Sequence, residues 1–596
     1  MADIIKEWRK FDEGIRGDLD SPFHQHFDIF TDPRRLIPYR STQTDHSTNV
    51  SSTDAKQYDI RNFQLGSDGK LYGLGKNGSS QPKVLKKTDP TTGNWLSSAG
   101  NNAATVEGEG NGARITGCFI EWQSAMWFFQ GTTQLAKCTL AGTITNTVLT
   151  VGTVTTVAQG VVGADDNLYL FYNNKVVRVN NAGTATDSVL SNLPSNMRIT
   201  SACRWGSYIA IGMAFGTSAT AAPSGASKVF IWDMVSTTTV TEVVDWGEGA
   251  LLALGTIEGR IVGVSNKYLE TPSGLTSLAV AQGSMVVRVY SGAQAQVYRE
   301  IVGNQVVTLG RFIQDVVVKD NKMYWVASVP FGASTSTEST YHLGIWAFGR
   351  KDRNSDFSLS LDYIEESVDT SNYKINSFGN AGNYWFINHS ADGSIHKVDS
   401  SANYTFTSIY ETEHFGNEKQ SLQLKAAFIV TDFLPSGAVT VLKYKKDSET
   451  SFTQIFTFST ANSLRHTALG LENLTAGGDT VTMTIASPGV ITLTAHKLVA
   501  GQQVTFTTTG ALPTGITAGN PYFVLSAGLA ANTFRIATSA GGTAINTSGS
   551  QSGTHTMDRT IPLPQFKRII LRAESTGGAV ITGVGLIAER IDDDVV

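Results

Sequence analysis

Three groups of residues have the types and spacing to do chemistry. His24-Gln-His26-Phe-Asp28 places two imidazoles and a carboxylate at alternate positions. On an extended chain all three would point to one side, as metal ligands must. No fourth ligand is evident, and alternating Phe23, Phe27 and Ile29 fit a strand with one buried aromatic face equally well; we take that reading and assign no metal. Glu248, Glu258 and Glu270 fall close together, and glycoside hydrolysis needs two facing carboxylates. Chain spacing alone pairs none of them, so they read as solvated loop acids. Lys83–Lys87 and Lys445-Lys446 are short basic stretches and read as solvated turns. The chain has no Gly-x-x-x-x-Gly-Lys-Ser/Thr phosphate loop and no Gly-x-Ser-x-Gly nucleophile elbow. Its three cysteines, Cys118, Cys138 and Cys203, form no Cys-x-x-Cys pair, which excludes a disulfide-built scaffold. They read as reduced, buried thiols, with a Cys118–Cys138 bridge left open. No catalytic residue and no cofactor is assigned.

The elements that would carry such residues follow from composition and pattern. The 596 residues make room for about four domains. Charged residues are 16%, against the usual ~25%, while hydrophobic residues reach 41%, enough to build cores. A net charge of −5 argues against a general nucleic-acid binder. The N-terminal MADIIKEWRK has no apolar signal region, and apolar runs such as Ala250–Leu254 are too short to span a bilayer. The expectation is a protein made and folded in a cytoplasm.

Ile4, Ile5, Trp8, Phe11 and Ile15 recur at three- and four-residue steps, so residues 1–16 are expected to be an amphipathic helix. Pro22, Pro33 and Pro38 forbid a long helix afterwards, and the rest of 1–57 is read as an extended arm lying on another surface. Trp8, Phe11, Phe23, Phe27, Phe30 and Tyr39 are its candidate assembly contacts. From 58 to 418 a polar turn followed by an aromatic-rich strand recurs, as in Asp68-Gly-Lys-Leu-Tyr72, Asp166-Asn-Leu-Tyr169 and Asp320-Asn-Lys-Met-Tyr324. Units of about 35–55 residues with about four strands each predict an irregular β-propeller. About seven blades are expected, near 60–96, 113–148, 156–193, 198–236, 246–303, 311–367 and 374–412, with six or eight as the alternatives. Alternating apolar residues at Leu422–Val430, Val439–Tyr444, Phe566–Leu571 and Val580–Ile587 predict an antiparallel β-sandwich from 419–474 plus 558–596. The stretch 475–557, whose charged residues are Asp479, Lys497 and Arg535, reads as a small β domain inserted into a sandwich loop.

The inserted stretch carries a resemblance. Ile491-Thr-Leu-Thr-Ala-His-Lys-Leu-Val-Ala-Gly-Gln-Gln-Val-Thr-Phe, the phrase from Ala511 to Leu525, Ala531-Asn-Thr-Phe-Arg-Ile and Gly549-Ser-Gln-Ser-Gly-Thr-His resemble a β-rich module scattered through virion proteins of tailed bacteriophages. The match covers about 65 residues. The layout of propeller, sandwich and terminal phrase Ala573-Glu-Ser-Thr-Gly-Gly-Ala-Val-Ile-Thr-Gly is similar to nozzle or hub proteins of short-tailed phage tails. The resemblance implies a structural, non-enzymatic virion protein, assembled in the host cytoplasm and released by lysis. It implies a homo-oligomeric ring, guessed as a hexamer, which meets adaptor, portal-proximal or fibre proteins and takes DNA only as passing cargo. The alternative is a receptor-binding adhesin or tail fibre recognising a host surface glycan. A propeller enzyme degrading glycans ranks below both. Gly66-Ser-Asp68-Gly69 and Ser390-Ala-Asp392-Gly393 are similar to sialidase aspartate turns, but lack the residue between Asp and Gly and the later Trp. They read as hairpin turns.

Overall fold

The computed structural model describes residues 4–11, 60–76, 80–87, 104–215, 226–268, 283–302, 316–330, 341–350, 355–364, 375–381, 384–389, 395–398, 407–449, 451–459, 465–468, 475–496, 500–539, 541–560 and 565–591, with 23–25, 27–29, 32, 34–40, 42–46, 404 and 498. Every regular element among them is a β-strand. None is a helix long and apolar enough to cross a membrane.

Seven four-stranded antiparallel blades form the body. Blade 1 is Arg61–Leu65, Leu71–Lys76, Pro82–Lys87 and Ala104–Glu109. Blade 2 is Arg114–Trp122, Ala125–Gln130, Gln134–Thr139 and Ile144–Thr150. Blade 3 is Val157–Val162, Leu168–Tyr172, Lys175–Val179 and Ala185–Thr186. Blade 4 is Met197–Trp205, Tyr208–Phe215, Ala226–Trp232 and Glu242–Glu248. Blade 5 is Ala250–Ile257, Arg260–Tyr268, Gly283–Tyr290 and Ala295–Val302. Blade 6 is Val317–Lys319, Lys322–Pro330, Tyr341–Gly349 and Ser358–Ile364. Blade 7 has three consecutive strands, Ile375–Ala381, Tyr384–His389 and Ile395–Val398, and takes its outer strand, Thr42–His46, from the arm. The first strand of each blade lies innermost, and from blade 7 through blade 1 to blade 6 these strands neighbour one another round the axis. Second strands are packed on both faces. Leu168–Tyr172 buries all five side chains and Ala125–Gln130 all six, which is why they read as continuous apolar–aromatic runs.

The N-terminal arm joins everything else to this body. Ile4–Trp8 pairs antiparallel with Ile581–Ile591, at the edge of a sandwich sheet that continues through Ser421–Thr431 to Arg465–Ala468. Phe23–Gln25 lies between two sheets. It pairs parallel with Ser358–Ile364 of blade 6 and antiparallel with Ser408–Glu411. Beyond Ser408–Glu411 come Arg568–Thr576, Val439–Lys446 and Thr453–Phe458, so blade 6 and the second sandwich sheet form one ten-stranded sheet across the arm. Leu36 bridges Ile581, and its N–H donates to the Ile581 carbonyl at 2.8 Å. A single apolar core contains Trp8, Phe11, Phe27, Ile29 and Leu36 of the arm, Tyr324 and Ile345 of blade 6, Phe378 of blade 7 and Leu424, Leu442 and Val584 of the sandwich. Gly585 permits the close approach: a Cβ there would lie 2.4 Å from the Phe428 ring and 2.8 Å from the Lys6 carbonyl oxygen.

The inserted stretch forms its own seven-stranded sheet, between Thr475–Met483 and His555–Thr560, around its own core of Val504, Phe506, Phe534 and Met557.

Two expectations are corrected. Residues 4–8 are a strand and not part of a helix. The free edge of Ile581–Ile591 supplies backbone partners, and the alternation of exposed Ile5 (67%) with half-buried Ile4 and buried Trp8 fits that edge better than the helical stripe. The outer strand of blade 7 comes from the arm, because Ser408–Glu411 is already paired with Arg568–Thr576. The arm packs on its own chain: Trp8, Phe11 and Phe27 are buried there, Phe23 and Tyr39 are half-buried there, and Phe30 lies outside the described residues.

Removing the fully buried Phe27 ring empties the junction of arm, propeller and sandwich. Phe27→Ala is expected to cost about 3–5 kcal/mol in denaturant unfolding, whereas Val235→Ala, at a position 83% exposed, changes stability by less than about 0.5 kcal/mol.

Candidate functional site at the propeller axis

The inner strands surround two cavities that share Val316 and Val318 of blade 6 as a wall. The first, ≈ 250 Å³, is bordered by Asn62 and Gln64 of blade 1, Gln159 of blade 3 and Asn380 of blade 7. The second, ≈ 310 Å³, is bordered by Gln159, by Cys203 and Arg204 of blade 4 and by Thr256 of blade 5. Arg204 is the one charged residue among the described residues bordering either cavity. The axis therefore offers amides, a thiol, a hydroxyl and one cation. That set can hydrogen-bond a small polar molecule.

Turns around the propeller are tied blade to blade. The Ser67 hydroxyl donates to Glu121 Oε1 at 2.9 Å, linking blades 1 and 2. Gln123 Nε2 donates to Asn181 Oδ1 at 3.3 Å, linking 2 and 3. Tyr169 meets Trp232 edge-on at 5.3 Å, linking 3 and 4. The Trp205 indole N–H donates to the Gly259 carbonyl at 2.7 Å, linking 4 and 5. Arg350 Nε donates to Glu258 Oε2 at 2.9 Å, linking 5 and 6. Tyr324 and Trp385 lie 4.7 Å apart across blades 6 and 7, and Phe63 and Phe386 6.1 Å apart across 7 and 1.

Of the candidate acids, Glu258 is half-buried and held by Arg350, whereas Glu248 is exposed, as expected of a solvated acid, and lies 3.3 Å from Lys267 Nζ. Glu270 lies outside the described residues, as do His26 and the Ser390–Gly393 turn. No group of three or more His, Cys, Asp or Glu among the described residues is placed to hold a metal ion. The expected solvated turn at Lys83–Lys87 is corrected. It is strand Pro82–Lys87, with Lys87 wholly buried and its ammonium 5.3 Å from the centre of the Phe386 ring. The ring face attracts the cation, a contact that is stronger out of water than at an exposed site. Lys445 lies over Phe452 at 4.7 Å, while Lys446 Nζ donates to the Gln565 carbonyl at 3.0 Å. The three cysteines are free thiols, Cys118 and Cys138 buried as expected and Cys203, beside the axial cavity, only half-buried.

Sequence reasoning missed one recurrent latch. Gly66-Ser-Asp68-Gly-Lys-Leu-Tyr72 and Gly163-Ala-Asp165-Asp-Asn-Leu-Tyr169 share Gly, Asp, Leu and Tyr at the same spacing. In both, the Tyr hydroxyl donates to the Asp four residues earlier, at 3.0 Å in Tyr72–Asp68 and 2.7 Å in Tyr169–Asp165. In both, the Gly N–H donates to the carbonyl four residues later. A side chain on either glycine would collide with both the Asp and the Tyr. Burial, reinforced by Asp165, holds the Tyr169 hydroxyl well above its ordinary pKa, so it remains the donor. Aligning the two stretches on their tyrosines would have exposed the pattern, and it assigns Asp165, not Asp166, as the counterpart of Asp68.

No protein-family model matches this chain, and no curated protein matches it. Solved structures similar to it include three propellers. A catalytically inactive variant of virginiamycin B lyase from Staphylococcus aureus, with quinupristin, is 8% identical, covering 60% of this chain and 98% of the lyase at a TM-score of 0.37. The WD40 domain of Toxoplasma gondii coronin is 10% identical, covering 65% and 87% at 0.36. An oligogalacturonate lyase in complex with manganese is 11% identical, covering 61% and 96% at 0.35.

Burial pushes the Cys118 and Cys203 thiols up to about 12. At pH 8 each holds about a thousandfold less thiolate than a free cysteine. The folded protein is expected to resist iodoacetamide at both positions over hours and to react at both in denaturant, read by peptide mass spectrometry.

Proposed function

We propose that this chain is a non-enzymatic structural protein of a tailed-bacteriophage virion, of the nozzle or hub type, which builds a homo-oligomeric ring. The observation that carries this reading is the inserted unit. The phrases resembling the phage virion module, from Ile491 to His555, fall within a sheet that has its own core and is set into a loop of the sandwich. Such a unit is transferable without disturbing its host. The fusion of propeller and sandwich through the arm gives a stiff body, as a load-bearing ring requires. The hold of Arg350 on Glu258 favours this reading over a glycan-degrading enzyme.

The axial cavities also constrain how such a protein meets DNA. Spaces of ≈ 250 and ≈ 310 Å³ hold a small molecule, not a duplex whose major groove alone is about 12 Å wide. In this reading DNA passes through the centre of a ring of copies and never through one propeller. A net charge of −5 suits passage without phosphate gripping.

Mass photometry of the purified chain and cryo-microscopy of the particles that carry it test the proposal together. The expected result is a closed multi-subunit ring that matches density in the tail. A monomer at all concentrations that is absent from purified particles would overturn it.

A further inference from the structure

We infer that the N-terminal arm is exchanged between copies, so that in the assembled ring each copy's arm completes the blade 7, the blade 6–sandwich seam and the sandwich edge of its neighbour. This rests on the ring reading above and specifies the contact that would join its subunits.

Three observations carry it. The slots filled by the arm are strand-shaped and built by distant parts of the chain. Ile395–Val398 presents an edge to Thr42–His46, Ser358–Ile364 and Ser408–Glu411 flank Phe23–Gln25, and Ile581–Ile591 presents an edge to Ile4–Trp8. Backbone pairing does not distinguish one copy's strand from another's, so every body in a ring offers the same slots.

The side-chain latches likewise run from arm to body. Glu413 accepts from Lys6 Nζ at 3.0 Å and from the Trp8 indole N–H at 3.2 Å. Asp432 accepts from Arg35, and Asp362 accepts from the Tyr39 hydroxyl at 2.9 Å. The described part of the arm therefore carries its own groups complementary to the body and can be transferred as a unit.

The arm's tether is also long for its path within one chain. His46 ends the outer strand of blade 7 and Ile60 precedes the inner strand of the adjacent blade 1. Crossing a blade takes about three strand spacings, or about 14 Å. Residues 47–59 supply thirteen residues, which reach about 45 Å when extended. That surplus lets the arm reach an adjoining copy and seat there with the same contacts. Exchange keeps every arm contact and adds only the proximity of two bodies, a low-cost route to assembly.

Engineered disulfides read out which body each arm occupies. Thr44 and His396 are directly paired residues of blade 7, and Ile5 and Ile587 are paired at the sandwich edge. Directly opposed strand residues lie within disulfide range. Thr44→Cys with His396→Cys in one full-length protein, and Ile5→Cys with Ile587→Cys in another, are assembled, oxidised and run on a denaturing gel without reductant. Each single-cysteine variant serves as the control. Exchange predicts a covalent ladder of dimers and larger species from the assembled fraction of both proteins, collapsing to monomer with reductant. An assembled fraction that runs wholly as internally linked monomer would overturn the exchange and leave the ring intact. Failure of either protein to assemble beyond a monomer at any concentration, with the unsubstituted chain equally monomeric, would overturn the ring and the exchange together.

Discussion

The architecture depends on strand pairing by a short N-terminal arm. A propeller blade with three strands leaves an open edge, and a sandwich sheet beside it leaves another. Unpaired backbone groups at such edges are costly to bury and invite aggregation. Thr42–His46, Phe23–Gln25 and Ile4–Trp8 fill three of these edges with three pieces of one segment. Between the strands, Phe27, Ile29 and Leu36 enter the core shared by blades 6 and 7 and the sandwich. Hydrogen bonds set the register and the apolar residues supply the driving force, since burial of a Phe or Leu side chain contributes about 1.5–3 kcal/mol. Propeller and sandwich thus become one body through a segment that belongs in sequence to neither.

Ring closure in the propeller is distributed in the same way. No single covalent or ionic lock among the described residues holds it. Each neighbouring pair of blades has its own tie, chosen from what the local turns provide: hydroxyl to carboxylate at Ser67–Glu121, indole to carbonyl at Trp205–Gly259, guanidinium to carboxylate at Arg350–Glu258, ring to ring at Tyr324–Trp385. Acids that would stand out as catalytic candidates in an open cleft are engaged here in holding blades together. The polar groups that the described residues place beside the axial cavities are amides, a thiol, a hydroxyl and Arg204.

Much of this was legible in the sequence, with limits of a definite kind. Local pattern identified the blades because a hairpin's turn and its buried second strand are adjacent in the chain, as at Asp68–Tyr72. The sandwich strands were legible from alternation at Leu422–Val430, and the insertion from its loss of charge. What was not legible are the partners of the arm. The residues at 4–8 support a helical stripe and a strand almost equally, and the decision rests with an edge at the far end of the chain, Ile581–Ile591. Nothing in the text of Thr42–His46 marks it as the last strand of a blade that begins at Ile375. Lys87 was misjudged for a related reason: its burial depends on parts of the chain distant in sequence, among them the strand that places the Phe386 ring 5.3 Å from its ammonium.

Hydrogen exchange tests the role of the arm most directly. It compares the unsubstituted chain with Phe27→Asp, which places a carboxylate where the arm is wholly buried and so unseats it. The account predicts that amides of Ile395–Val398 and of Ser408–Glu411 lose protection together in the variant, because both pair directly with the same arm, while Val157–Val179 of blade 3 keeps its protection. Unchanged protection at Ile395–Val398 and Ser408–Glu411 in a variant whose arm exchanges freely would contradict it.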